Sequence, residues 1–234
     1  QWMALHPWNY GLGYGVARLS RTLVSQPLEL EYFISNCLAV FGSKYSTSPW
    51  PYISTSSSGE NFPITLMPNI NIIGSGEGIS ILDAQNSNRV IVGESSFNNE
   101  IKSLTIQGGS PNEGLSLNYG GGVYIKNSEI HFENLTIENN IAESGGGISV
   151  FYSYPQFTNV TIKNNYADYG GGVYLFGSYP IFNNVYIEQN EAIFGGGIFS
   201  EYSNSIVHYP LIVNNFADLF GGGIRLESGS TMQI

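Results

Sequence analysis

Charge is scarce in this chain and is mostly of one sign. Charged residues make up 11% of its 234 positions, with eight Lys or Arg against 18 Asp or Glu, for a net charge of −10. Residues 120–220 hold two Lys and nine Asp or Glu, a net −7. Such a surface repels phosphate backbones, so no nucleic-acid partner is expected. Cysteine is limited to Cys37, which excludes an internal disulfide framework and any multi-cysteine metal site. A large solenoid needs no disulfides, so export is not excluded on that account. No apolar run reaches the roughly 18 residues of a transmembrane helix. Residues 1–15 lack the basic-then-apolar design of a secretory leader. The chain begins at Gln1 and stops at Ile234, partway through a repeat, and is expected to be a fragment of a longer protein.

What the chain does have is glycine (29), tyrosine (16) and phenylalanine (13), a composition that argues against disorder. The glycines are ordered. Triplets begin at Gly120, Gly145, Gly170, Gly195 and Gly221, at spacings of 25, 25, 25 and 26 residues. A period this regular means one supersecondary unit stacked on copies of itself. After each triplet comes an alternating segment in which Val123/Ile125, Ile148/Val150 and Val173/Leu175 share one side. Tyr124, Ser149, Tyr174, Phe199 and Arg225 share the other, and period-2 alternation predicts a strand. A Ser-rich turn follows, with Pro155 and Pro180 in it. A second strand then carries Phe132, Leu135 and Ile137, repeated as Phe157, Val160, Ile162 and Phe182, Val185, Ile187. Each unit closes on Asn140, Asn165, Asn190 or Asn215, with Ala142, Ala167, Ala192 or Ala217 two residues later.

Residues that recur every 25 positions lie directly above one another when each unit is one turn of a solenoid. The phenylalanines then form an interior ladder, and the asparagines can donate and accept amide bonds along a column. Glycine triplets suit corners that need positive φ or close backbone approach. The stretch from Phe132 to Ala142 also fits a leucine-rich-repeat template. Its return, however, is three glycines and a β-branched strand with few helix formers, so a parallel β-helix is favoured.

The pattern N-x-A-x-x-GGG-[VI], with N-[LV]-T-I just upstream, resembles the right-handed parallel β-helix repeats of bacterial surface proteins. It is similar to polymorphic outer-membrane protein repeats, which pair a GGA[ILV]-type motif with an FxxN-type motif. Here the triplet is GGG, and the aromatic lies two residues before the Asn, as in Phe132-Glu133-Asn134. The stretch Gly78-Ile-Ser-Ile-Leu-Asp-Ala84 is similar to the opening turns of pectate-lyase-like β-helices. The resemblance covers residues 60–234. It implies an all-β, right-handed, single-stranded parallel β-helix of about 25 residues per turn and about seven turns.

Residues 60–119 read as earlier, less regular turns, with short strands at 69–73, 79–83, 90–92 and 104–106 and a long connection at 110–119. Residues 1–59 are different: all three Trp and Cys37 fall there, and 16–41 could supply an amphipathic helix. They are expected to form a cap or an irregular leader, since the first turn of a solenoid needs its edge covered. Gly11-Leu-Gly-Tyr-Gly15 lacks the third glycine of a dinucleotide loop and has no preceding strand.

The resemblance implies two classes of function. One is a secreted or cell-surface module, outer-membrane associated, with a structural or adhesive role toward polysaccharide or a host surface. The other is a polysaccharide lyase or glycoside hydrolase. Galacturonase-like hydrolases carry Asp-Asp and Gly-His-Gly motifs, which this chain lacks, and four consecutive turns have minimal corners that wall no cleft. The reading leans away from an enzyme, with Asp83, Lys102, Glu113 and Lys126 near the long loop as weak catalytic candidates. A trimeric fibre or tailspike-like module is a further alternative. No cofactor is expected, although Glu143, Asp168 and Asp218 stack as an acidic column that could hold Ca²⁺. His131 and His208 fall three turns apart and cannot share a metal. The expected ligand-binding surface is an outward aromatic stripe of Tyr124, Phe151, Tyr174, Phe176 and Phe199, with Tyr154 and Tyr179 at the neighbouring corner.

Overall fold

A computed structural model describes residues 61–111 and 118–234, together with the strand positions Arg18–Arg21 and Tyr52–Ser54. The described chain is an all-β solenoid. Its first face is a seven-stranded parallel sheet in which Val123–Lys126, Ile148–Phe151, Val173–Phe176, Ile198–Glu201 and Ile224–Glu227 lie in register. Ile91–Glu94 and Ile64–Thr65 continue it toward the N-terminus. Its second face stacks Phe97–Gln107, Glu129–Glu138, Gln156–Lys163 and Ile181–Glu188. A third sheet of three strands, Tyr166–Tyr169, Glu191–Phe194 and Phe216–Phe220, closes the later turns where sequence alone suggests only a corner. The solenoid has about seven turns, as expected.

The interior is built from columns of like residues. Phe132, Phe157 and Phe182 are buried, with ring centroids 4.9 Å apart at both steps and nearly parallel planes. Ile137, Ile162 and Ile187 form a second column beside them, and Val123, Ile148, Val173 and Ile198 a third. Strict alternation would not bury both Phe132 and Leu135, three residues apart. It breaks because Asn134, Asn159 and Asn184 sit at φ 51°, 54° and 53°, a left-handed conformation that Asn tolerates and that bends the second strand. The pairing passes over this residue, from Thr158↔Asn183 directly to Val160↔Val185.

Two polar columns hold the corners. Asn140 donates its backbone N–H and its side-chain amide to Asn165 Oδ1, both at 3.0 Å, and the same pair of bonds joins Asn165 to Asn190 and Asn190 to Asn215. At the other corner the backbone N–H of Ser96, Ser128, Ser153, Ser178 and Ser203 donates to the hydroxyl of the serine one turn on. The glycine triplet divides its work. Gly170 has φ 65°, whereas a Cβ on Gly171 would stand 2.4 Å from the Glu191 carbonyl oxygen and 2.7 Å from that of Gly196. Close approach of backbone to backbone, more than positive φ, demands the second glycine.

At the N-terminal end Arg18–Arg21 pairs antiparallel with Ile70–Ile73, and Tyr52–Ser54 pairs parallel with Ile81–Asp83. Arg18–Arg21 is therefore a strand, where a helix is expected over 16–41. The rest of that stretch, Cys37 and the three Trp lie outside the described residues.

Candidate functional site

Three of the five residues of the expected aromatic stripe are covered rather than open. Tyr124, Tyr174 and Phe199 are only 8%, 7% and 3% exposed, so they form no open binding surface. They are covered by one another and by a ring borrowed from the long connection. Ser149 leaves a gap in their column, and Tyr119 fills it, stacking on Tyr124 at 6.4 Å and on Tyr174 at 6.1 Å. Tyr174 stacks in turn on Phe199 at 5.8 Å. A guanidinium closes each end: Arg89 lies 5.3 Å from the Tyr124 ring centroid and Arg225 lies 5.8 Å from that of Phe199. Tyr169 adds an edge contact to Phe199. Burial pulls the Arg89 guanidinium below its ordinary value and pushes the Tyr119 and Tyr124 hydroxyls up. The Tyr174 hydroxyl is raised most, by burial first and then by its 2.7 Å hydrogen bond to Glu201.

Phe151 and Phe176, the other two residues of the expected stripe, are half-buried at the end of the first face. Tyr152 and Tyr202 contact the Phe176 ring edge-on at 5.4 and 5.5 Å, and both adopt left-handed backbone conformations. Bulky residues rarely take that conformation, and such positions cluster at functional sites. One set of exposed aromatics, Tyr152, Tyr154, Tyr179 and Tyr202, lies on the corner between the first and second faces, and a second, Tyr166, Tyr169, Phe216 and Phe220, lies on the third sheet. Inward Ser153 separates outward Tyr152 from outward Tyr154, and the same alternation places Tyr179 one turn on.

Beside this corner runs a groove of ≈ 570 Å³. Tyr154 and Tyr179 stack along it, ring centroids 5.3 Å apart with planes 9° from parallel, and remain 58% and 46% exposed. Glu129, Gln156, Asn204 and Thr231 supply polar groups from four of the turns it crosses. The groove crosses five turns, and the four steps of about 4.8 Å between them make a track of about 20 Å along the solenoid axis. A smaller pocket of ≈ 210 Å³ shares Glu129 and Gln156 with this groove and extends it to Asn98 and His131.

The weak catalytic candidates do not assemble. Asp83 is buried, accepting from the Gln85 backbone N–H at 2.7 Å and from the Gln107 amide at 2.9 Å, so it serves the turn. Lys102 is on the second face, paired with Glu100 at 3.0 Å, while Lys126 ends a strand of the first face. Glu113 lies outside the described residues. Glu143, Asp168 and Asp218 do not bring three ligating atoms together. Among the described residues, Glu100, His131 and Glu133 do. Neither this set nor the role of Tyr119 is visible in the 25-residue pattern; the aromatic column interrupted at Ser149 was the available signal for Tyr119.

A family model described as a right handed beta helix region matches residues 90–234. The chain belongs to the right-handed β-helix family. A search of curated proteins and a search of solved structures found no match. The match extends over every glycine triplet and over all of the groove-lining residues, so the groove is built on the family's own stacked turns.

Proposed function

We propose that this β-helix is a module of a secreted or cell-surface protein with a structural and adhesive role, and that it contacts extended glycans along the Tyr154/Tyr179 groove. The stacked, accessible tyrosine pair is the observation that carries the reading. Flat rings pack against the apolar faces of pyranoses, while Gln156, Asn204 and Thr231 can bond their hydroxyls. The net charge of −10 and the carboxylate of Glu129 in the groove favour neutral glycans over polyanionic ones.

Binding without cleavage is the better-supported chemistry. Glycoside hydrolysis draws on two carboxyl groups flanking the bond, and the main groove offers one, Glu129. A panel of cello-, xylo- and chito-oligosaccharides with polygalacturonate as the acidic comparator tests the proposal. Saturable binding of a neutral oligosaccharide with no product release supports it. Release of ultraviolet-absorbing unsaturated oligosaccharides would replace it with a lyase, and binding confined to polygalacturonate would overturn the charge argument.

A further inference from the structure

On the second face, Glu100 pairs directly with His131 across one turn boundary, and Lys102 pairs with Glu133. The four outward side chains make a square with the two glutamates on one diagonal. A ring nitrogen of His131 and one carboxylate oxygen from each glutamate lie within 4.8 Å of one another, all three residues half-buried. Ligands around a tetrahedral zinc at about 2.0–2.2 Å stand ~3.4 Å apart, so rotations of the two Glu side chains bring the set to bonding distance. The His131 ring is already held. Its Nε2 lies 3.2 Å from the Thr158 hydroxyl one turn further on, the kind of outer hydrogen bond that fixes the orientation of a ligating imidazole. Glu133 is steadied in the same way by the Asn134 amide at 3.3 Å.

We propose that Glu100, His131 and Glu133 form a binding site for a first-row divalent cation, with zinc the best match. One imidazole nitrogen with two carboxylate oxygens suits zinc or manganese, whereas calcium takes oxygen ligands alone. Three protein ligands leave at least one coordination position for water or another molecule. Because His131 also lines the smaller pocket, the bound ion borders the groove system. Lys102 is the built-in competitor. Its ammonium rests 3.0 Å from Glu100 and must move aside when the metal enters. The site does not depend on the glycan reading, and it is tested with metal alone.

Isothermal titration of the whole chain with zinc chloride is the experiment. One saturable site is expected, weakened at least about 30-fold by His131→Ala and by Glu133→Gln. Lys102→Gln should tighten it about 5-fold, since it removes one unit of opposing charge near the surface. His208→Ala, three turns away on the same face, should leave it unchanged. Unchanged circular dichroism in each variant shows that a lost signal is not lost fold. Absence of saturable zinc binding would overturn the proposal. So would binding that survives both His131→Ala and Glu133→Gln, or calcium binding tighter than zinc.

Discussion

Replacing Asn165 by alanine should cost far more than its size suggests. Its Oδ1 is the shared acceptor for the Asn140 backbone N–H and the Asn140 amide, both at 3.0 Å. Its own amide donates at 3.0 Å to the Ile137 carbonyl and at 3.0 Å to Asn190 Oδ1. After the change the Asn140 amide still reaches the Ile106 carbonyl at 3.2 Å, but the buried Asn140 N–H loses the acceptor it had. One orphaned buried donor costs about 1–3 kcal/mol and each lost hydrogen bond about 1 kcal/mol net, giving roughly 3–5 kcal/mol. For a chain of this length that is a fall in Tm of roughly 10 °C. Urea unfolding followed by circular dichroism gives the stability difference, with Asn159→Gly as the comparison. Asn159 also links to Asn134 at 3.1 Å, but in solvent and at φ 54°, where glycine is at ease. Its replacement should change stability by no more than about 0.5 kcal/mol. A loss below about 1 kcal/mol for Asn165→Ala would refute the claim that this column holds the corner.

Gly171→Ala should destabilise by about 3 kcal/mol, because the new methyl meets two backbone carbonyls that cannot rotate away, whereas Gly78→Ala, with nothing within 4 Å, should cost about 1 kcal/mol for its φ of 70° alone. Tyr119→Ala should open the slot between Tyr124 and Tyr174, read as a rise in near-ultraviolet accessibility of tyrosine and a loss of about 2 kcal/mol. The contribution of Tyr174 to stability should be fully present below pH ~10 and fall as pH rises beyond it. The Tyr174 hydroxyl has a raised value in the fold, so the unfolded chain releases its proton first. Tyr174→Phe should flatten the decline measured by urea unfolding between about pH 9 and about pH 11, roughly one unit either side of the free phenol.

The stacking was legible because it is written in identity at fixed spacing. The phenylalanine and asparagine columns follow from Phe132, Phe157, Phe182 and Asn140, Asn165, Asn190 without reference to coordinates. Exposure was not legible in the same way. Alternation reports that Tyr124 and Tyr174 leave the interior side of the strand, yet it cannot report that Tyr119, which belongs to an irregular connection, folds back between them. The third sheet was hidden because Tyr166–Tyr169 and Glu191–Phe194 are short and mix polar with apolar residues. The Glu100–His131 pairing was hidden by arithmetic: the connection at 110–119 separates them by 31 residues rather than 25, so the repeat period places neither beside the other. The accessible tyrosines at the corner were noted in sequence, but the groove beside them depends on the course of the second face.

The account rests on the tyrosine groove, and the most direct test is the affinity of the Tyr154→Ala/Tyr179→Ala double variant for the neutral oligosaccharide that the wild-type chain binds best. Loss of both exposed rings should weaken binding by at least about 10-fold, equivalent to 1.4 kcal/mol, with circular dichroism unchanged. Affinity equal to wild type would contradict the assignment of this groove as the contact surface.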